Sequence, residues 1–116
     1  MDTIVLVKDP IEIKNLKKIA NERFSNLVKA VVDINLRIMA IGGEMHADEE
    51  KHLIEQGSMQ EDLWGINIYP ESTEDNRIEF DSMINIRPRQ NNCSRGVENI
   101  ELQKKIIQIV NSLVKE

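Results

Sequence analysis

The apolar positions open with Thr3 to Val7, a short β-branched run that predicts a strand buried on both faces. Asp9-Pro10 then suits a helix start, with Asp9 as cap, Pro10 in the first helical position and Glu12 able to close a capping box. Ile13, Leu16, Ala20 and Phe24 recur at helical spacing, Ile19 widens the stripe, and Lys14, Lys17 and Lys18 lie off it, so this helix is amphipathic. Val28 to Ile34 is β-branched again. A tight reversal near Asn35 follows, and Arg37 to His46 reads as the antiparallel partner strand. Gly42-Gly43 interrupts that partner, which marks a bulge or a close backbone approach that re-aims Glu44 and His46.

Asp48-Glu49-Glu50, then Leu53-Ile54 and Gly57, predicts a short helix with acids in its first turn and a glycine stop. Leu63 to Tyr69 resumes strand character, with Trp64, Ile66 and Ile68 on one face and Asn67 and Tyr69 on the other. After the polar turn Pro70 to Asn76, Ile78 to Arg87 alternates, Ile78, Phe80, Ile84 and Ile86 inward and Glu79, Asp81, Asn85 and Arg87 outward. A hairpin of these two strands sets Asn67 opposite Asp81, or nearly so. Pro88 to Gly96 is a loop, and Ile100 to Val114 carries a broad helical stripe of Leu102, Ile106, Ile109, Val110 and Leu113. The expected order is β-α-β-β-α-β-β-α. It describes one α+β layered domain over residues 1–116, with a largely antiparallel sheet and helices packed on one face.

Composition bears this out as an ordinary globular chain: 116 residues, 41% hydrophobic and 30% charged, enough for one modest core. Aromatics are only 3%, so the core is aliphatic. A net charge of -5 with no basic block argues against a nucleic-acid or anionic-membrane surface. The lone Cys93 excludes an internal disulfide, and the run Ile4 to Val7 is too short for a signal core or a membrane span. A cytoplasmic setting is the expectation.

Three constellations carry candidate chemistry. Glu44, His46, Asp48 and His52 supply two carboxylates and two imidazoles at the junction of strand and helix, a set able to hold a divalent metal with a catalytic water. Against it, Asp48, Glu49 and Glu50 suit the positive end of a helix dipole without any ligand. The metalloprotease signature with His-x-His is not met, because His46-Ala47-Asp48 lacks the second histidine, and no His-Glu-x-x-His helix occurs. The loop Arg87 to Gly96 offers Arg87, Asn92 and Arg95 ahead of a helix start as a cradle for a small anionic ligand, opposed by Glu98 and Glu101 in the first turn. Cys93 lies two residues from Arg95, whereas a phosphatase loop needs six, so a nucleophilic thiol is disfavoured. The outward row Glu79, Asp81, Asn85 and Arg87, with Asn67 and Tyr69, is ordinarily a solvated face. Asp81 becomes a further ligand or general base if that face meets Glu44 and His46.

The strings Lys29-Ala30-Val31-Val32-Asp33, Met39 to Glu49, Gly57-Ser58, Leu63-Trp64-Gly65-Ile66-Asn67 and Ile78 to Pro88 together resemble an uncharacterised prokaryotic family catalogued as domain of unknown function 5674. The resemblance covers nearly the whole chain and implies no activity or site residue.

Two readings follow. In the first, the protein is a small non-enzymatic domain that binds a ligand or associates with itself or a partner, its site at the polar strand end. In the second, it is a metal-dependent, hydrolase-like enzyme with Glu44, His46 and Asp81 in acid/base roles and Glu44, His46, Asp48 and His52 around a metal. There Arg87 or Arg95 orients an anionic substrate.

Overall fold

The computed structural model describes residues 4–116, so Thr3, where the first strand is expected to begin, is outside the described residues. In chain order the elements are β1 (Val5–Val7), β2 (Ile11–Glu12), α1 (Ile13–Arg23), β3 (Val28–Asp33), β4 (Ile38–Ile41) and α2 (His46–Glu55). They continue with β5 (Leu63–Ile68), β6 (Ile78–Glu79), α3 (Ile100–Leu113) and β7 (Val114–Lys115). The main sheet has the order β1-β4-β3-β5-β6, every pair antiparallel, while β2 and β7 form a separate parallel pair.

Alternation along β3 divides the interior. Val28, Ala30 and Val32 join Met39, Ile41, Trp64, Ile66 and Ile68 beneath Leu16 and Ala20 of α1 and Ile106, Ile109, Val110 and Leu113 of α3. Each such aliphatic side chain contributes roughly 1.5–3 kcal/mol when fully buried, so this face holds most of the core. Val31 points the opposite way, into a smaller cluster with Ala40, Leu63 and Leu53 of α2. The two long helices therefore share one face, and α2 backs the other with a single buried aliphatic. A radius of gyration of 12.9 Å matches the roughly 13 Å of one compact domain of this length. No helix among the described residues is long and apolar enough to cross a membrane.

Four boundaries depart from the sequence pattern. The first helix begins at Ile13 with Glu12 as an unbonded cap, because Ile11 and Glu12 pair with Val114 and Lys115 instead. Those same pairs end the last helix at Leu113. The strand expected through His46 stops at Ile41, since Gly42 takes φ 89° and turns the chain into α2. The strand expected from Ile78 to Arg87 lasts only two residues. It gives way to a 3-10 turn at Met83–Asn85, which buries Asn85 and exposes Ile86, the reverse of the predicted alternation.

Helix α2 ends as its glycine predicted. Gly57 has φ 109°, its N–H donates to the Ile54 carbonyl, and Ser58 N–H reaches back to the Leu53 carbonyl, a Schellman arrangement. At the β3–β4 reversal the buried Asp33 carboxylate accepts from the N–H groups of Asn35 and Leu36 and from the Ser58 hydroxyl at 2.6 Å. One carboxylate thus ties the turn to the end of α2.

Candidate functional site

The glycine pair decides where the polar residues after β4 go. Gly43 donates its N–H to Glu49 Oε2 at 2.9 Å, and a Cβ on Gly43 would stand 2.9 Å from Glu49 Cγ, so only glycine lets the chain lie this close to α2. Glu44 and His46 consequently separate. Glu44, 65% exposed, bonds Arg23 at 2.9 Å on the α1 side, whereas His46 opens α2 and is only 8% exposed. Asp48 and His52 stand one turn apart on α2, as their spacing predicted. Among the described residues no three His, Cys, Asp or Glu side chains are grouped as a metal would require. Glu44, His46, Asp48 and His52 therefore do not form a shared ligand set.

His46 instead meets the polar side of the sheet. Its Nε2 is 2.7 Å from the Ile66 carbonyl. A carbonyl oxygen only accepts, so the hydrogen sits on Nε2 and a neutral ring leaves Nδ1 as an acceptor. Burial holds the His46 pKa below its usual 6.5 and Lys29 adds to that, while hydrogen bonding to the Ile66 carbonyl and to the Asn67 side chain, and the charge of Asp81, pull the other way. Burial is the largest of these effects, and the ring is neutral at physiological pH.

Asn67, also 8% exposed, lies between His46 and β6. Its register partner is Glu79, two residues from the Asp81 expected from the sequence. Alternation keeps both acids on the same side, and Asn67 Nδ2 donates to Glu79 Oε1 at 2.9 Å and to the Asp81 carbonyl at 3.4 Å. Tyr69 donates its hydroxyl to the same Glu79 oxygen at 3.0 Å; desolvation first, and Glu79 second, raise the Tyr69 pKa and keep it a donor. Asp81 is closed by Arg95 at 2.7 Å. Asn67 Oδ1 is buried with no hydrogen-bond partner among the described residues. His46, Asn67, Tyr69, Glu79, Asp81 and Arg95 thus form one polar strip, with Lys29 at its border.

The loop before α3 is a different matter. Asn92 is buried, its Nδ2 shared among the carbonyls of Asn85, Ser94 and Gly96 and its Oδ1 accepting from Glu98 N–H. Arg87 donates to the carbonyls of Ile84 and Leu63, pairs with Glu50 and lies 4.8 Å from the Trp64 ring centroid. Burial lowers its pKa while Glu50 raises it, and the guanidinium remains a cation. Glu98 also accepts from Cys93 N–H, and Asn99 caps α3 through Leu102 N–H. Arg87 and Asn92 therefore spend their polar groups inside the protein rather than on an anion cradle, and Arg95, 56% exposed, pairs with Asp81 at the surface.

Asn85, expected outward, is fully buried and staples both polar groups of Gly65, accepting its N–H at 2.8 Å and donating to its carbonyl at 2.9 Å. The same turn presses Ser82 against Gly65, where an added Cβ would lie 2.6 Å from Ser82 Cβ. Lys29 entered the sequence reading only within the family string and without a site role, though a lone cation opposite Val28, Ala30 and Val32 was a readable signal. Surface hollows lie elsewhere, among them one along Val5, Arg23 and Gly42 and one along Gln60 and Arg87 to Gln90.

A family model described as "protein of unknown function (DUF5674)" matches residues 5–113. No curated protein and no solved structure matches the chain.

Proposed function

The chain belongs to the DUF5674 family of proteins of unknown function, and we propose that it is a non-enzymatic ligand-binding domain whose binding surface is the strip around His46 and Asn67. The observation that carries this reading is convergence. Side chains from the start of α2, from β5, from β6 and from the loops after them meet on one polar strip beside an otherwise aliphatic cluster. Buried polar side chains in such a place cost stability unless they are paired or put to use. One Asn67 oxygen is not paired.

The hydrolase alternative, with Glu44, His46 and Asp48 around a metal, gains no support, because Glu44 turns to Arg23 and no three-ligand group forms among the described residues. A small anionic ligand at Arg87, Asn92 and Arg95 is likewise disfavoured by the internal bonds of Arg87 and Asn92 and by the pairing of Arg95 with Asp81. Cys93, exposed and free, fits a reducing, cytoplasmic compartment.

The test is a titration of isotope-labelled protein followed by two-dimensional NMR, with acetate, inorganic phosphate, acetamide and methylammonium as separate probes. Saturable shifts at His46, Asn67, Tyr69 and Asp81 with at least one probe are expected. Saturable shifts confined to other regions, or none with any probe, would overturn the reading.

A further inference from the structure

His46 stands between two groups that can only accept. Its Nε2 lies 2.7 Å from the Ile66 carbonyl. Its second neighbour is the side chain of Asn67, the residue peptide-bonded to that carbonyl. The Asn67 amide has one orientation, because Glu79 Oε1 at 2.9 Å and the Asp81 carbonyl at 3.4 Å both require Nδ2, and reversal would set an oxygen against two oxygens. Oδ1 is therefore the atom left for the ring, and it is buried with no hydrogen-bond partner among the described residues. With Nε2 taken by Ile66, the ring nitrogen left for Asn67 is Nδ1.

A neutral imidazole carries one hydrogen and cannot serve both acceptors. The imidazolium carries two and can. Against the second hydrogen stand burial of the ring, the larger effect, and the positive charge of Lys29, which is the register partner of Asn67 on β3. Asp81, after β6, favours it and itself holds Arg95, while Glu79 of β6 lies behind the Asn67 amide. On α2 itself Glu49 turns to the Gly43 N–H and Glu50 to Arg87. Asp48, two residues on from His46, is about 200° round the helix.

We propose that His46 and Asn67 are a proton-operated tie between the start of α2 and β5. In acid the ring takes a proton from solvent at Nδ1, keeps its hydrogen bond to the Ile66 carbonyl, and donates the new hydrogen to Asn67 Oδ1. The tie decides that the charged ring stays docked instead of swinging out to solvent, and it adds a positive charge beside Lys29, so the charge of the strip follows pH. The protein as a whole still loses stability in acid, because burial outweighs the hydrogen bonds in setting where the ring titrates. The tie needs no ligand and stands apart from the reading of the strip as a binding surface.

The test is NMR of the full chain, isotope-labelled in the imidazole nitrogens and the asparagine side chains, followed from about pH 7.5 down through the His46 titration. Expected at neutral pH is a hydrogen on Nε2 alone. As the ring charges, a second hydrogen should appear on Nδ1 and exchange slowly with solvent, and the Asn67 side-chain carbonyl carbon should shift with the same midpoint. Asn67→Leu, which keeps the bulk and removes the acceptor, should lower that midpoint relative to wild type. Three wild-type results each overturn the tie without any variant having to fold: a hydrogen on Nδ1 at neutral pH, an Nδ1 hydrogen in acid that exchanges at the rate of an exposed ring, or an Asn67 carbon that does not follow the titration. An unchanged or raised midpoint in folded Asn67→Leu overturns it too.

Discussion

At the scale of single residues, His46 is the group whose chemistry the fold changes most. Its folded-state pKa lies below the unfolded 6.5, so in acid the unfolded chain binds the proton more readily than the native one. The stability that follows is fully present above about pH 6.5 and is lost as the pH falls from there toward the folded value, at about 1.4 kcal/mol for each unit of depression. His46→Gln keeps an N–H able to reach the Ile66 carbonyl and removes the titration. Thermal unfolding between about pH 7.5 and pH 5 should therefore fall less steeply for His46→Gln than for wild type. Equal slopes would mean that the ring is not held neutral by burial. The imidazole was legible as a polar group after an apolar run, but its burial was not, because nothing local says that α2 begins on it.

Among the elements, the loop before α3 illustrates how a polar stretch becomes structure. Its residues read as a cradle of cations and amides, and in the fold the amide of Asn92 is the bracket that holds the loop closed on the 3-10 turn. Asn92→Ala leaves the buried carbonyl of Asn85, the half-buried carbonyl of Gly96 and the N–H of Glu98 without these partners. A loss of about 3 kcal/mol is expected in urea unfolding, given roughly 1–3 kcal/mol for each buried group left unsatisfied. An unchanged midpoint would refute the bracket. Arg89→Ala, on an exposed side chain of the same loop, serves as the control and should change stability little. The helix boundaries were read well where a local signal decided them, as at Gly57, while the Asn99 cap of α3 was not read from the sequence. They were misread where a distant strand competed, as at Ile11–Glu12, whose pairing with Val114–Lys115 delays α1.

Over the whole molecule, the sheet order places β4, β3 and β5 inside and leaves β1 and β6 at the edges. Amide exchange should be slowest in β3, which is paired on both sides, and faster in β1 and β6. Gly65 N–H is an informative case: it has no strand neighbour on its outer side and is held by Asn85 Oδ1. It should exchange with the slow class in wild type and with the edge class in Asn85→Ala. Protection of Gly65 that survives the substitution would show that the turn's packing, not the amide, shields it. By itself the sequence determined the α+β class, the antiparallel sheet, the helical stripes and the family, because hydrophobic period and turn residues act over a few neighbours. Only the tertiary structure decided that Glu44 parts from His46, that Asn85 turns inward and that Asn67 meets His46. The reason is physical: those outcomes depend on register and on competition between distant partners for the same hydrogen bonds, which no local pattern encodes.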